Sequence, residues 1–106
     1  MAIGPAPNFI GTGAPTTIAA TNASQSGDLG LVEGDSLAIL NETGSTCFVI
    51  LSDQVNPTAS ANGVGNQMVP AGGWGIVSRK GYYFRYYGVI LAAGTGNVRI
   101  QVGFGG

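Results

Sequence analysis

The stretch Val98-Arg99-Ile100-Gln101-Val102 alternates apolar and polar side chains near the C-terminal end of the sequence. Successive side chains of a β-strand point to opposite faces of the sheet, so Val98, Ile100 and Val102 share one face. Arg99 and Gln101 share the other face. This period of two predicts a strand with one buried face and one solvated face.

Similar strand signals recur along the rest of the sequence. Residues 36–41, 47–52 and 74–78 are short runs of aliphatic and aromatic residues, and residues 82–92 form a longer run that we expect to bend or bulge at Gly88. Glycine, proline and asparagine lie between the runs, and no segment has the apolar spacing of an amphipathic helix. The predicted fold is all-β: a single antiparallel β-sandwich or jelly-roll-like domain with no helix beyond one or two turns.

The first 27 residues contain no charged side chain and three prolines. We therefore expect residues 1–27 to form an extended N-terminal arm, with a short edge strand possible at residues 16–20, and residues 28–106 to form the sandwich. A solvated tail and an arm that orders on a neighbouring subunit both fit this composition. Ile3, Phe9 and Ile10 favour the arm, because solvated tails usually lack such residues.

Charged residues make up only 8% of the chain, whereas hydrophobic residues make up 44%. An average soluble domain carries roughly 25% charged residues, so this composition favours a subunit that hides much of its surface in an assembly. A surface solubilised by Ser, Thr, Asn and Gly is the alternative. The net charge of −1 indicates neither a nucleic-acid nor a membrane partner. The N-terminus resembles no secretion signal, so we expect synthesis in a cytoplasm.

The residues that most enzymes use for catalysis are scarce. The sequence has no histidine, which removes the commonest general base and most transition-metal sites. Cys47 is the only cysteine and precedes an apolar run, so we expect a buried thiol. Glu33 and Asp35 alternate in a stretch that we expect to be a solvated loop. We therefore predict no enzymatic activity, no cofactor and no metal site.

The aromatic run at residues 82–87 is the most conspicuous feature of the sequence. On a strand its members alternate between two faces, and Phe84, which lacks a polar tip, favours one face as the buried one. The buried face would carry Tyr82, Phe84 and Tyr86, and the outward face Tyr83, Arg85 and Tyr87. The outward face could be ordinary surface, a protein interface or a sugar-stacking platform. The few basic residues argue against a nucleic-acid site.

Several short motifs occur in a fixed order from the first core strand onward. Residues 37–41 (Leu-Ala-Ile-Leu-Asn) are followed by Phe48-Val-Ile-Leu51, Thr58-Ala-Ser60, Met68-Val-Pro-Ala-Gly-Gly73 and Gly94-Thr-Gly-Asn-Val-Arg-Ile100. This order resembles small virion proteins of tailed bacteriophages, of the head decoration or capsid cement type, over roughly residues 35–103. The run at residues 82–87 is more aromatic than the family pattern, and the Ala-rich stretch usual there appears only as Leu91-Ala92-Ala93. The N-terminal 27 residues lie outside the resemblance.

The resemblance implies a compact β-sandwich that binds the outside of a phage capsid where capsomers meet, often as a homotrimer. Its partners would be the major capsid protein and further copies of itself, and its location the virion surface. The alternatives are a receptor- or glycan-binding module of a phage fibre or tail, and a β-sandwich subunit of another homo-oligomer. The residues predicted to contact partners are Ile3, Phe9, Ile10, Tyr83, Arg85 and Tyr87.

Overall fold

The computed structural model describes residues 9–80 and 84–105, and these residues form nine β-strands and no helix. The strands are β1 (Ile10–Gly11), β2 (Thr16–Ala20), β3 (Gln25–Asp28), β4 (Ser36–Asn41), β5 (Cys47–Ser52), β6 (Gln67–Val69), β7 (Trp74–Ser78), β8 (Tyr86–Leu91) and β9 (Gly96–Phe104). The all-β prediction is confirmed, and the bounds predicted for the runs at 36–41, 47–52 and 74–78 match β4, β5 and β7. No helix that could cross a membrane occurs in the part of the chain described.

The strands form two antiparallel sheets packed face to face. Sheet A has five strands in the order β1, β9, β4, β7, with β2 pairing with β9. Sheet B has four strands in the order β3, β8, β5, β6. Most connections cross from one sheet to the other, so neighbouring strands in the sequence seldom pair. This arrangement is a β-sandwich, and the sandwich prediction is confirmed.

The core lies between the two sheets and is built from alternating residues of both. On β9, Val98, Ile100 and Val102 are buried while Arg99 is exposed, as the period of two predicted. The other fully buried aliphatic side chains come mainly from β4, β5, β6 and β8: Leu37, Ile39, Val49, Val69, Val89 and Leu91. The sandwich therefore has one apolar interior to which both sheets contribute.

The described part of the predicted arm belongs to the sandwich. The edge strand predicted at residues 16–20 is confirmed as β2, which buries Ile18 and Ala20 against the core. Strand β3 then pairs with β8 in sheet B. Residues 10–28 thus contribute strands to both sheets, and the division into an arm of residues 1–27 and a sandwich of residues 28–106 stays a prediction. The composition did not indicate β3 because Gly and Asp are depleted in strands, so that its pairing is set by the strand beside it.

Asn41 ends β4 and joins two turns through its side chain. Its Nδ2 donates hydrogen bonds to the carbonyl oxygens of Ser45, Val69 and Pro70, at 2.8, 3.0 and 3.1 Å. Its Oδ1 accepts from the backbone N–H and the hydroxyl of Thr43. The amide is fully buried, so these bonds satisfy polar groups that water cannot reach. Asn41 therefore couples the β4–β5 connection, which crosses from one sheet to the other, to the turn before β7.

The bend or bulge predicted at Gly88 is wrong. The register between β5 and β8 runs without interruption from Cys47↔Leu91 to Ser52↔Tyr86, and Gly88 sits opposite Ile50 within it. A side chain at Gly88 would instead meet a loop that crosses the sheet, because an added Cβ would lie 2.6 Å from the carbonyl oxygen of Pro57. The glycine thus permits a close approach of backbone to backbone.

Candidate interaction surfaces

The aromatic run is arranged differently from the prediction. Strand β8 begins only at Tyr86, and Tyr87 packs against the core beside Val89 and Leu91. Tyr86 shares the opposite, outer face with Ile90, so the face predicted for both tyrosines is wrong. The reason is that Val89 and Leu91 must face the core. Tyr87 is two residues before Val89, so its side chain lies on the same face of the sheet.

Two consequences follow for the predicted aromatic face. Tyr82 and Tyr83 lie outside the described residues. Phe84 precedes β8, so the direction of its side chain does not determine which residues of β8 face the core. Phe84 is half-buried, with the Lys80 ammonium 5.8 Å from its ring centroid. Burial raises the pKa of the Tyr87 hydroxyl. Tyr87 therefore lies on the inner face of β8 and is half-buried there, and its predicted contact with a partner stays a prediction.

Arg85 is exposed but engaged by an acidic neighbour. Its Nε and Nη2 donate to the two carboxylate oxygens of Asp28 at 2.7 and 2.8 Å, a two-pronged pair. The Arg85 guanidinium, followed by the Gly30 backbone N–H, lowers the pKa of Asp28. Asp28 pairs with Tyr86 across β3 and β8, so the ion pair ties the end of β3 to its neighbour. The predicted contact of Arg85 with a partner stays a prediction.

The N-terminal residues predicted to contact partners are only partly described. Ile3 lies outside the described residues, whereas Ile10 is 66% exposed on β1, opposite Phe104 of β9. Phe9 is half-buried, and its ring lies where a side chain at Gly103 would be. Ile10 and Phe104 thus form a small exposed apolar pair at one corner of sheet A.

A larger apolar surface covers the outer face of sheet A, and the sequence analysis did not identify it. Leu40 of β4 lies between Trp74 of β7 and Arg99 of β9, and Ala38 lies between Ile76 and Gln101 in the next row. A cavity of about 180 Å³ opens on this face, which we call the Trp74 face. It is lined by Pro15, Ala38, Leu40, Trp74, Arg99, Ile100 and Gln101.

Polar groups border the Trp74 face at the β9 side. Arg99 Nε lies 2.9 Å from Glu42 Oε1, with both side chains substantially exposed. Gln101 Nε2 donates to the carbonyl oxygen of Gly13 at 2.9 Å. The surface therefore combines a half-buried tryptophan, aliphatic side chains and a polar border. This composition is typical of the centre and rim of a protein interface.

The outer face of sheet B is covered, in contrast, by the chain itself. The loop of residues 53–66 folds back over β5 and β8, where Ala59 N donates to Ser24 Oγ at 2.9 Å. Beneath it Phe48, whose side chain is on the outer side of β5, is only 5% exposed, and Ala59 is 2% exposed. Of the two outer faces, only that of sheet A lacks such a cover among the residues described.

Two observations bear on metal binding and on the cysteine. No group of three or more His, Cys, Asp or Glu residues converges in the described part of the chain to hold a metal ion. Cys47 is fully buried, and burial raises the pKa of its thiol to about 11. A thiol in this state is a poor nucleophile at neutral pH.

The comparisons with known proteins assign no family. No family model matches the chain, and no curated protein matches it. A crystal structure of the Drosophila NLP-core, described as giving insight into pentamer formation and histone binding, has 18% sequence identity and a TM-score of 0.37. The match covers 84% of this chain and 95% of that one. A likeness at this TM-score supports no inference about what the present chain does.

Proposed function

We propose that this chain is a structural virion protein that binds the outside of a tailed-phage capsid at capsomer junctions and stabilises the shell. The observation that carries the proposal is the Trp74 face, an apolar sheet surface with no cover among the described residues. Trp74, Leu40 and Ile76 are half-buried on this face, and burying the rest of their apolar surface against a partner would stabilise the complex. A capsid shell offers such a partner in many symmetry-related copies.

The motif order that resembles decoration proteins also has a physical basis in this fold. The Asn that ends the first core strand and the Val-Pro-Ala-Gly turn are separated by about thirty residues in the sequence pattern, but Asn41 Nδ2 bonds to Val69 and Pro70 directly. The two motifs therefore belong to one structural unit. This coupling supports reading them together as a signature of common architecture.

Stabilising a shell requires only modest binding energy per copy. A ligand that binds the assembled state but not the separated subunits shifts the equilibrium towards assembly by mass action. Contacts repeated by symmetry then add through avidity. The homotrimer that the resemblance implies would multiply these contacts, and its mass in solution is directly measurable.

Co-sedimentation with empty capsid shells tests the proposal. The wild-type chain should pellet with shells and raise their melting temperature, whereas Trp74→Ala should weaken binding about 30-fold, the loss expected of one interface hot spot. Val64→Ala, at a fully exposed loop position, is the matched control and should bind as the wild type does. Equal binding of Trp74→Ala and the wild type would reject the Trp74 face as the contact, and no pelleting of the wild type would reject the function.

A glycan-binding module is the second candidate, and the Trp74 face favours it more than the predicted tyrosine face does. Trp74 and Arg99 line the same cavity on either side of Leu40, and together they offer a stacking surface and hydrogen-bond donors for a sugar. Titration of host-surface glycans into the protein separates the two functions. Glycan binding that Trp74→Ala abolishes, together with no shell binding by the wild type, would favour this alternative.

A further inference from the structure

Among the residues that the structure describes, strand β7 forms one edge of sheet A and carries no charge, proline or bulge. Within residues 9–80 and 84–105 it pairs only with β4, and β1, where the described chain begins, lies at the opposite end of the strand order. The strand reads Trp-Gly-Ile-Val-Ser, without a charge or a proline, and its register with β4 is free of bulges. Natural edge strands usually carry at least one such feature, because an open edge recruits another strand.

The hydrogen-bond directions show which backbone groups of β7 are available. The backbone N–H of Asn41 donates to the carbonyl oxygen of Gly73 at 3.0 Å, which makes this a hydrogen-bonded pair. Since such pairs alternate along an antiparallel ladder, Gly75 and Val77 also direct their backbone groups towards β4. Trp74, Ile76 and Ser78 therefore direct theirs away from β4, towards the open edge.

We propose that β7 pairs antiparallel with β7 of a second copy of this chain, about a two-fold axis at Ile76. In this register Ile76 lies opposite Ile76 of the other copy, and Trp74 lies opposite Ser78. The outward backbone groups of all three residues then find partners. Lys80, just beyond the strand, lies opposite Gly72, so no like charges meet across the axis.

The side chains of β7, like its backbone groups, favour pairing with β7 of a second copy. Trp74 and Ile76 lie on the outer face of sheet A, so pairing two edges extends this apolar face across the axis and places two isoleucines side by side. Cross-strand aliphatic pairs stabilise a sheet. The five-residue edge is shorter than a standard interface requires, so we expect a dimer with a dissociation constant on the order of 10 μM. This inference concerns self-association and does not depend on the proposed function.

Sedimentation velocity over a concentration series tests the pairing. The wild type should show a reversible monomer–dimer equilibrium. Ile76→Lys places two ammonium groups side by side at the axis and should raise the dissociation constant at least tenfold. Thr17→Lys, on strand β2 at the other end of sheet A, is the matched control and should dimerise as the wild type does. Thermal melting of both variants should stay close to that of the wild type, because residues 17 and 76 are on the outer face.

A cysteine at the axis tests the register. Directly opposed residues of a hydrogen-bonded pair have Cα atoms about 5.5 Å apart, which a disulfide can span. Ile76→Cys should form a covalent dimer under mild oxidation, whereas Thr17→Cys should not, and the buried Cys47 should not compete. A wild type that is monomeric at several hundred micromolar, or an Ile76→Lys variant that associates like the wild type, would overturn the inference. A trimer insensitive to Ile76→Lys would also overturn it while leaving the shell-binding proposal intact.

Discussion

At the scale of single residues, Arg79 contributes most to holding the loops together. Its side chain is fully buried in the connection after β7. Its Nη1 donates to the carbonyl oxygens of Val32 and Gly34 at 2.9 and 3.1 Å, and its Nε donates to that of Phe84 at 3.1 Å. One guanidinium therefore fixes the β3–β4 loop to the β7–β8 connection, using the several donors that only arginine provides in a planar fork.

We expect Arg79→Met to lower the free energy of unfolding by about 3 kcal/mol or more. The substitution keeps an elongated side chain but leaves several buried carbonyl groups without donors, each costing about 1–3 kcal/mol. Arg99→Met is the matched control: Arg99 forms an exposed pair with Glu42, which is worth roughly 0–1 kcal/mol. Urea denaturation of both variants measures the difference. Equal losses would mean that water replaces the missing donors at residue 79.

No pattern in the sequence pointed to the buried position of Arg79. A charged residue beside Lys80 normally indicates solvent exposure, and the carbonyl groups that surround Arg79 come from residues up to 47 positions away. Such a contact leaves no local pattern in the sequence. The burial of Val98 and Ile100 was predictable, in contrast, because alternation along one strand is a local signal.

At the scale of strands and loops, the apolar residues of β4 indicated the Trp74 face, but the sequence analysis did not recognise it. The predicted strand at residues 36–41 is apolar on both faces, because residues 37–40 are all aliphatic. The structure shows that Leu37 and Ile39 fill the core, whereas Ala38 and Leu40 belong to the outer face. A strand that is apolar on both faces in a two-layer fold thus indicates a second buried surface, formed by a loop, another chain or a ligand.

The loop over sheet B gives a prediction at this scale. Gly88→Ala would place a Cβ 2.6 Å from the Pro57 carbonyl oxygen and 3.1 Å from Ala59 N, both backbone atoms that cannot rotate away. We expect the loop of residues 53–66 to lift from the sheet and Phe48 to become exposed. The expected cost is about 1–3 kcal/mol of stability.

Chemical denaturation and limited proteolysis together check this expectation. Gly44→Ala is the matched control, because an added Cβ at that glycine meets nothing within 4 Å. The Gly88 variant should be cleaved faster within residues 53–66, and the Gly44 variant should behave as the wild type does. Unchanged cleavage in Gly88→Ala would mean that the loop does not rely on close contact with β8.

At the scale of the whole molecule, few charges are left to the surface. The chain has four basic and five acidic residues. Arg79 is buried, and within residues 9–80 and 84–105 two ion pairs, Asp28–Arg85 and Glu42–Arg99, occupy four more. Five of the nine charged side chains are therefore buried or paired with an opposite charge. Such a surface associates readily with other neutral surfaces.

The rate at which a thiol reagent modifies Cys47 measures how often the sandwich unfolds. Burial raises the pKa of its thiol from 9.0 to about 11, which reduces the thiolate fraction at neutral pH about 100-fold. We expect a thiol reagent to modify Cys47 only through unfolding, with a rate that rises steeply with urea concentration. The unfolded chain in concentrated urea supplies the reference rate. Rapid labelling in native buffer would instead mean that β5 opens locally.

The position of β9 has a consequence for how the protein reaches this structure. Strand β9 lies between β4 on one edge and β1 and β2 on the other, and Ile18 pairs with Val98, 80 positions later in the chain. Closing so large a loop costs conformational entropy before the contacts it brings can compensate. Folding rates fall as the sequence separation of contacts rises, which puts all-β proteins in the millisecond-to-second range. Until β9 docks, Ile18 and Ala20 have no partner strand, so the slow step leaves apolar strand edges open to neighbouring chains.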